Sequence, residues 1–325
     1  MRVALLFIDG VGIGARDPEV NPLARDRYLL SQFDEAGLVK GEPLPAGGVV
    51  HPVDTTFGVG GRPQSATNQT ALLTGEPAAA LLGRHVLGFP NAPLRELLAR
   101  RSIVRRMAAQ GRTATFANCY PAGYLDALEL ARRPSGAADV VIPARYARRL
   151  RASATTLAFS AGGVALRTLD DARAGSGLTN DISGERAVER GFEVPRRSAG
   201  EAAQVLWRVA GSNDFTLFEH YLADEAGHAQ DFGAAALALS TFDAFARAVV
   251  ATRPADACVL ICSDHGNVED LSTRGHTLNR VAALSFGAPS SIGPLSTVAD
   301  VGSAILTLLG LDGRAQALAP LAVAP

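Results

Sequence analysis

Lysine is almost absent from this chain. Lys40 is the single lysine among 325 residues, and thirty arginines carry the remaining positive charge. The formal net charge is −1, so no global basic balance exists to attract a polyanion, and nucleic-acid binding is not expected. Cysteine is scarce too. Cys119, Cys258 and Cys262 are an odd number in apolar surroundings, which predicts reduced thiols in a cytoplasmic protein. Long hydrophobic runs are missing as well. Residues 3–8 form an apolar run that stops at Asp9, too short for a signal segment or a membrane span, and no later run is read as spanning a bilayer. Apolar residues at 47% against 19% charged exclude disorder and leave room for one large core.

What is present alternates between strand and helix patterns. Residues 2–8 read as a buried strand ending at Asp9-Gly10. Further strands are expected over 113–120, 139–142, 215–220, 258–263 and 282–286. Helices are expected over 65–74, 94–110, 242–253 and 297–309. Residues 41–64, rich in glycine and proline, read as an irregular loop, and 145–200 as a small helical insertion. Gly12 and Gly14 lack the third glycine of a dinucleotide fingerprint, and Pro18 and Pro22 interrupt any following helix. The alternation predicts one α/β domain over 1–325, with a largely parallel sheet covered on both faces.

The chemistry concentrates where those strands end. Asp264-His265-Gly266-Asn267 follows the apolar run 257–262, and a third ligand-type residue, His276, comes soon after. Of the six histidines, three (His228, His265, His276) lie between positions 228 and 276. Asp224 precedes His228 by four positions, so both can face one point on a helix. Carboxylate and imidazole donors together suit a borderline divalent metal such as zinc or manganese. Ser65 opens a helix whose free N–H groups favour an anion. It can also converge with Asp9, Asp264 and His265 at the carboxyl edge of the sheet. A serine hydroxyl needs its oxygen or proton stabilised to act as a nucleophile, and a nearby divalent metal would do that.

The set Asp9, Ser65, Asp224-x-x-x-His228, Asp264-His265-Gly266-Asn267 and His276-Thr277-x-Asn279 resembles the alkaline phosphatase superfamily. The likeness is greatest to the metalloenzyme domain of cofactor-independent phosphoglycerate mutases and phosphopentomutases. It covers roughly residues 1–125 and 210–315. The resemblance implies a three-layer sandwich around a largely parallel sheet, with two divalent metals. Asp9, Ser65, Asp264 and His265 would hold one, and Asp224, His228 and His276 the other. Two departures stand out. Gln69 occupies the position where the glycerate mutases place a substrate-contacting histidine, and the segment between Ser65 and Asp224 is too small for their second domain. Asn68 matches a position where nucleotide phosphodiesterases of the superfamily place a phosphate-contacting asparagine.

The leading expectation is therefore a metal-dependent phosphoric-ester hydrolase acting on a small phosphate ester through a phosphoserine. Ser65 would be the nucleophile and Asn68 a phosphate contact. A phosphomutase or phosphotransferase of the same superfamily, or a non-catalytic metal-binding protein, remains the alternative. Monoester or diester, native metal and oligomeric state are left open.

Overall fold

In a computed structural model of the chain, the described residues are 1–31, 44–132, 150–288 and 292–311. The strands are β1 (Arg2–Ile8), β2 (Val49–Val53), β3 (Ala114–Phe116), β4 (Cys119–Tyr120), β5 (Arg167–Thr168), β6 (Phe215–His220), β7 (Ala257–Cys262) and β8 (Val281–Phe286). Six of them form one sheet in the order β2-β8-β7-β1-β6-β3. β1 pairs in parallel with both β6 and β7, and β3 in parallel with β6, while β8 and β2 close one edge antiparallel. The helices are α1 (Ser65–Thr74), α2 (Ala78–Leu82), α3 (Ala92–Arg101), α4 (Ile103–Ala108), α5 (Ala122–Arg132) and α6 (Ala154–Ala161). They continue with α7 (Leu169–Arg173), α8 (Glu185–Glu189), α9 (Ala199–Ala210), α10 (Leu222–Ala229), α11 (Phe232–Ala251) and α12 (Val298–Leu308).

Continuous apolar runs suit strands buried on both faces. Along β1, Ala4, Leu6 and Ile8 join the core beneath α9 and α11. Val3, Leu5 and Phe7 join the core on the opposite face, with residues of α1, α4, α6 and α12. Two helical layers thus enclose the sheet, which is the three-layer sandwich expected.

Several boundaries differ from expectation for identifiable reasons. The loop read over 41–64 contains β2, an edge strand that tolerates Pro52 because its partner β8 lies on one side only. The helix read over 94–110 breaks at Ser102, whose extended backbone (φ −58°, ψ 145°) ends α3 while its hydroxyl accepts from Arg105 N to cap α4. α11 starts ten residues before its expected start, because Asp231 caps it and alanines continue its buried face. By length and composition α11 could cross a membrane, but Leu239, Phe242, Phe245 and Val249 on it are core residues. Within the expected insertion, α6 sits in the core through Ala154, Ala158 and Phe159. The strand expected over 139–142 lies outside the described residues.

Cys119, Cys258 and Cys262 are free and buried. Burial pushes the Cys119 and Cys258 thiols up to about 12 and Cys262 higher still, which leaves them un-ionised and unreactive. A chromogenic disulfide reagent should therefore find no fast-reacting thiol in the native protein and three after denaturation without reductant. Rapid native labelling would contradict this packing.

Candidate metal centre

The strand order assembles the site. β1 lies between β7 and β6, so Asp9, one residue past β1, faces both the Asp264-His265 turn that follows β7 and the α10 helix that follows β6. Asp9, Asp264 and His265 offer ligand atoms all within 4.8 Å of one another, and so do Asp224, His228 and His276. His265 Nε2 lies 3.5 Å from Asp9 Oδ1, 3.4 Å from Asp264 Oδ2 and 3.0 Å from Ser65 Oγ. The two groups adjoin, since the His265 and His276 rings stack with centroids 3.6 Å apart. All seven residues expected to bind metal converge on this one locus.

Each group gathers donor atoms of the kind that hold a cation. His276 Nδ1–H donates to Pro63 O and His228 Nδ1–H to Arg274 O, each at 2.7 Å. The two Nε2 atoms face each other at 3.3 Å and both lie near Asp224, that of His228 at 3.3 Å from Oδ2 and that of His276 at 3.8 Å from Oδ1. Two acceptors at that distance repel unless a proton or a metal lies between them, and fixing the remote nitrogen is how proteins aim metal-binding imidazoles. In the other group Asp9 Oδ1 and His265 Nδ1 are buried without partners. Burial, then the charges of Asp264, Asp224 and Glu219, hold the Asp9 carboxyl well above its usual range. Hydrogen bonding to Asp224 pushes His228 up to about 9. Asp224 itself falls to about 2, because His228, His265 and Asn267 outweigh the burial that opposes its ionisation. A cluster of carboxylate and imidazole donors fits divalent metal.

Ser65 is the first residue of α1, with Gln64 at the cap position. Its hydroxyl turns to His265. Asn68 requires a larger correction. It is 0% exposed, and its amide nitrogen donates to Thr55 O at 2.9 Å and Asp264 O at 2.8 Å. Both N–H groups are consumed by backbone carbonyls, so no donor remains for a phosphate oxygen. Asn68 ties α1 to the Asp264 turn. Asn68→Ala should orphan two buried carbonyls and cost about 2–4 kcal/mol of stability, measured by denaturant unfolding. Lost activity at unchanged stability would restore it as a substrate contact.

Four further residues surround the site. Gln69, visible only as a departure from the mutase pattern, donates from Nε2 to Asp9 Oδ2 at 3.3 Å and Asp264 Oδ2 at 3.1 Å. It bridges two ligand carboxylates. Gln69→Leu should weaken metal affinity about 10–100-fold, read by competition with a chromophoric chelator; unchanged affinity would refute the role. Glu219, hidden inside the apolar β6, is raised to about 7 by burial and by Asp264. Glu269 is buried and accepts from Gly12 N at 2.9 Å, Asn267 N at 2.8 Å, Asn279 Nδ2 at 3.1 Å and the Thr277 hydroxyl. A Cβ at Gly12 or Gly266 would come within 2.3 or 2.1 Å of its carboxylate, which explains both glycines without a nucleotide. Arg62 donates to His276 O at 2.8 Å and braces that loop.

Residues 189–313 match the Metalloenzyme superfamily. A 2,3-bisphosphoglycerate-independent phosphoglycerate mutase from Chromobacterium violaceum is 31% identical over 132 residues, covering 38% of this chain and 26% of the mutase. A phosphopentomutase from Shewanella loihica is 28% identical over 158 residues, covering 47% of this chain and 37% of that enzyme. The chain thus matches only about a quarter to a third of the length of these relatives. In fold it is similar to alkaline phosphatase from the Antarctic bacterium TAB5, with TM-score 0.56 at 14% identity, covering 95% of this chain and 98% of that one. Thermus thermophilus alkaline phosphatase gives TM-score 0.54 at 15% identity, covering 95% and 91%. The similarity over residues 189–313 agrees with a site whose clustered carboxylates and imidazoles suit divalent metal ions.

Proposed function

We propose that the protein is a phosphoric-ester hydrolase that uses two divalent metal ions and a Ser65 phosphoester intermediate. The observation that carries this reading is Ser65 Oγ at 3.0 Å from His265 Nε2, at the N-terminus of α1 and beside both ligand groups. Asp9, Asp264 and His265 would hold one ion and Asp224, His228 and His276 the other, supplying charge neutralisation and activated oxygen nucleophiles.

The chain's own groups do the rest. The free N–H groups opening α1 orient the non-bridging oxygens of the substrate phosphate. Ser65 Oγ bonds to phosphorus as the substrate ester bond breaks, and the alcohol leaves with a proton. Water then attacks the phosphoserine in line from the opposite side, releasing phosphate and restoring the serine hydroxyl. Two displacements give net retention at phosphorus. Glu269 and Arg62 keep the His276 loop in place throughout, and Gln69 keeps Asp9 and Asp264 together.

Relatives at the sequence level are mutases, so phosphoryl return to an acceptor is the competing outcome. A panel of phosphate mono- and diesters, assayed for phosphate release with added zinc or manganese, decides between them. Release with turnover supports the hydrolase. Isomerised or transferred phosphoester without free phosphate would establish the mutase reading, and inactivity of fully metal-loaded protein would leave a metal-binding protein only.

A further inference from the structure

The loop that carries His276 is flanked by positive charge that no carboxylate answers. Arg62, three residues before Ser65, lays its guanidinium over Gly275 and donates from Nη1 to His276 O at 2.8 Å. A Cβ at Gly275 would come within 2.4 Å of that nitrogen. Gly275 is not among the left-handed glycines, so glycine there seats the arginine rather than bending the chain. His276 Nδ1–H donates in turn to Pro63 O at 2.7 Å, beside Arg62. The two strips 62–65 and 275–276 thus form one ledge, with a guanidinium at its rim and the nucleophile at its inner end.

Arg62 is exposed, and among the described residues it has no carboxylate partner. Arg274, on the other side of Gly275, is exposed as well. Its Nε donates to the neutral Gln230 Oε1 at 3.0 Å, again with no carboxylate among the described residues. Surface arginines elsewhere do find one, as Arg2 with Asp256 and Arg100 with Glu96. Here the nearby acids are committed. Asp224 faces His228 and His276, and Glu269 accepts from the Gly12 and Asn267 backbone. A carbonyl takes one donor of a planar fork whose shape suits a two-pronged oxyanion. The transferred phosphate does not need that fork, because the N–H groups opening α1 meet it among buried ligand residues. What reaches an exposed rim is the portion of a substrate that leaves.

We infer that the substrate is a phosphate ester whose alcohol portion carries a second oxyanion, carboxylate or phosphate, and that Arg62 receives it. Arg274 adds to the positive charge at the same rim. This rests on the hydrolase reading above and narrows it to doubly anionic esters. Nη1 of Arg62 stays on His276 O while the rest of the fork meets the anion, so bracing and recognition share one side chain.

Short esters that differ only at the far end test this: the phosphate esters of hydroxypropanamide and hydroxypropanoate, and propanediol bisphosphate. Each is assayed for turnover by the metal-loaded enzyme and titrated calorimetrically into metal-loaded Ser65→Ala. The two charged esters should show kcat/KM about ten- to a hundredfold above the amide, the gain expected of charge-assisted hydrogen bonds. Whichever charged ester leads identifies the anion as carboxylate or phosphate. Arg62→Met should bring all three level, and Arg62→Lys should keep part of the difference, because the charge remains and the fork does not. Loss of the brace on His276 would slow the three alike, so the ratio of charged to neutral ester separates recognition from bracing. Equal kcat/KM for all three in the parent would overturn the inference and leave the hydrolase standing. A charge preference that survives Arg62→Met would overturn it too. Selective binding of the charged esters to Ser65→Ala, with no ester turned over by the parent, would instead sink the hydrolase and keep the anion site.

Discussion

Ser65→Ala should reduce phosphate-ester turnover by a factor on the order of 10⁴ or more, as removal of an essential nucleophile does in other hydrolases. Metal content should stay close to that of the parent, because Asp9, Asp264 and His265 still surround one position and Asp224, His228 and His276 the other. The helix should survive too, since Gln64 rather than Ser65 occupies the cap position. Acid quench during turnover should trap phosphate on Ser65 in the parent and none in the variant. A variant with near-normal rates, or inversion at phosphorus in a chiral-phosphate experiment, would mean that water attacks the substrate directly.

The second large effect belongs to Asp264. It is fully buried and faces His265 Nε2 at 3.4 Å, and its carboxylate also accepts from Gln69 and from the His265 backbone N–H. Asp264→Ala should remove one metal ion per chain by elemental analysis, with turnover falling at least a thousandfold, in the range of losing a principal electrostatic stabiliser. Asp264→Asn keeps the shape and separates loss of charge from loss of fold. If the asparagine variant retained full metal content and rate, Asp264 would not be a ligand.

The ligands were legible because each interrupts a pattern at a place where the pattern means something. Asp9 and Asp264-His265 end apolar runs, and Asp224 with His228 has helical spacing. Those cues locate a residue at a sheet edge and ask nothing of its side-chain direction. Asn68 and Gln69 show what the cues leave out. Both follow Ser65 on the same helix, but one helical step of roughly 100° sends one amide to backbone carbonyls and the other to the ligand carboxylates. Nothing in composition distinguishes them. Glu219 was invisible because a strand buried on both faces hides its polar member among apolar neighbours. The edge strand β2 was missed because proline and glycine signal a loop unless the neighbouring strand is already known.

Placing β1 at the centre of the sheet also sets a schedule for folding. Val3 pairs with Phe215 on one side and Cys258 on the other, partners roughly 210 and 255 residues further along the chain. At about 5–20 residues per second of synthesis, the central strand waits on the order of 10–50 seconds for its neighbours to be made. Through that interval an apolar strand has both hydrogen-bonding edges open, the condition in which chains pair with one another. Such long-range pairing is slow even once the chain is complete. Yield in the cell should therefore depend on chaperone capacity more than on the final stability of the fold.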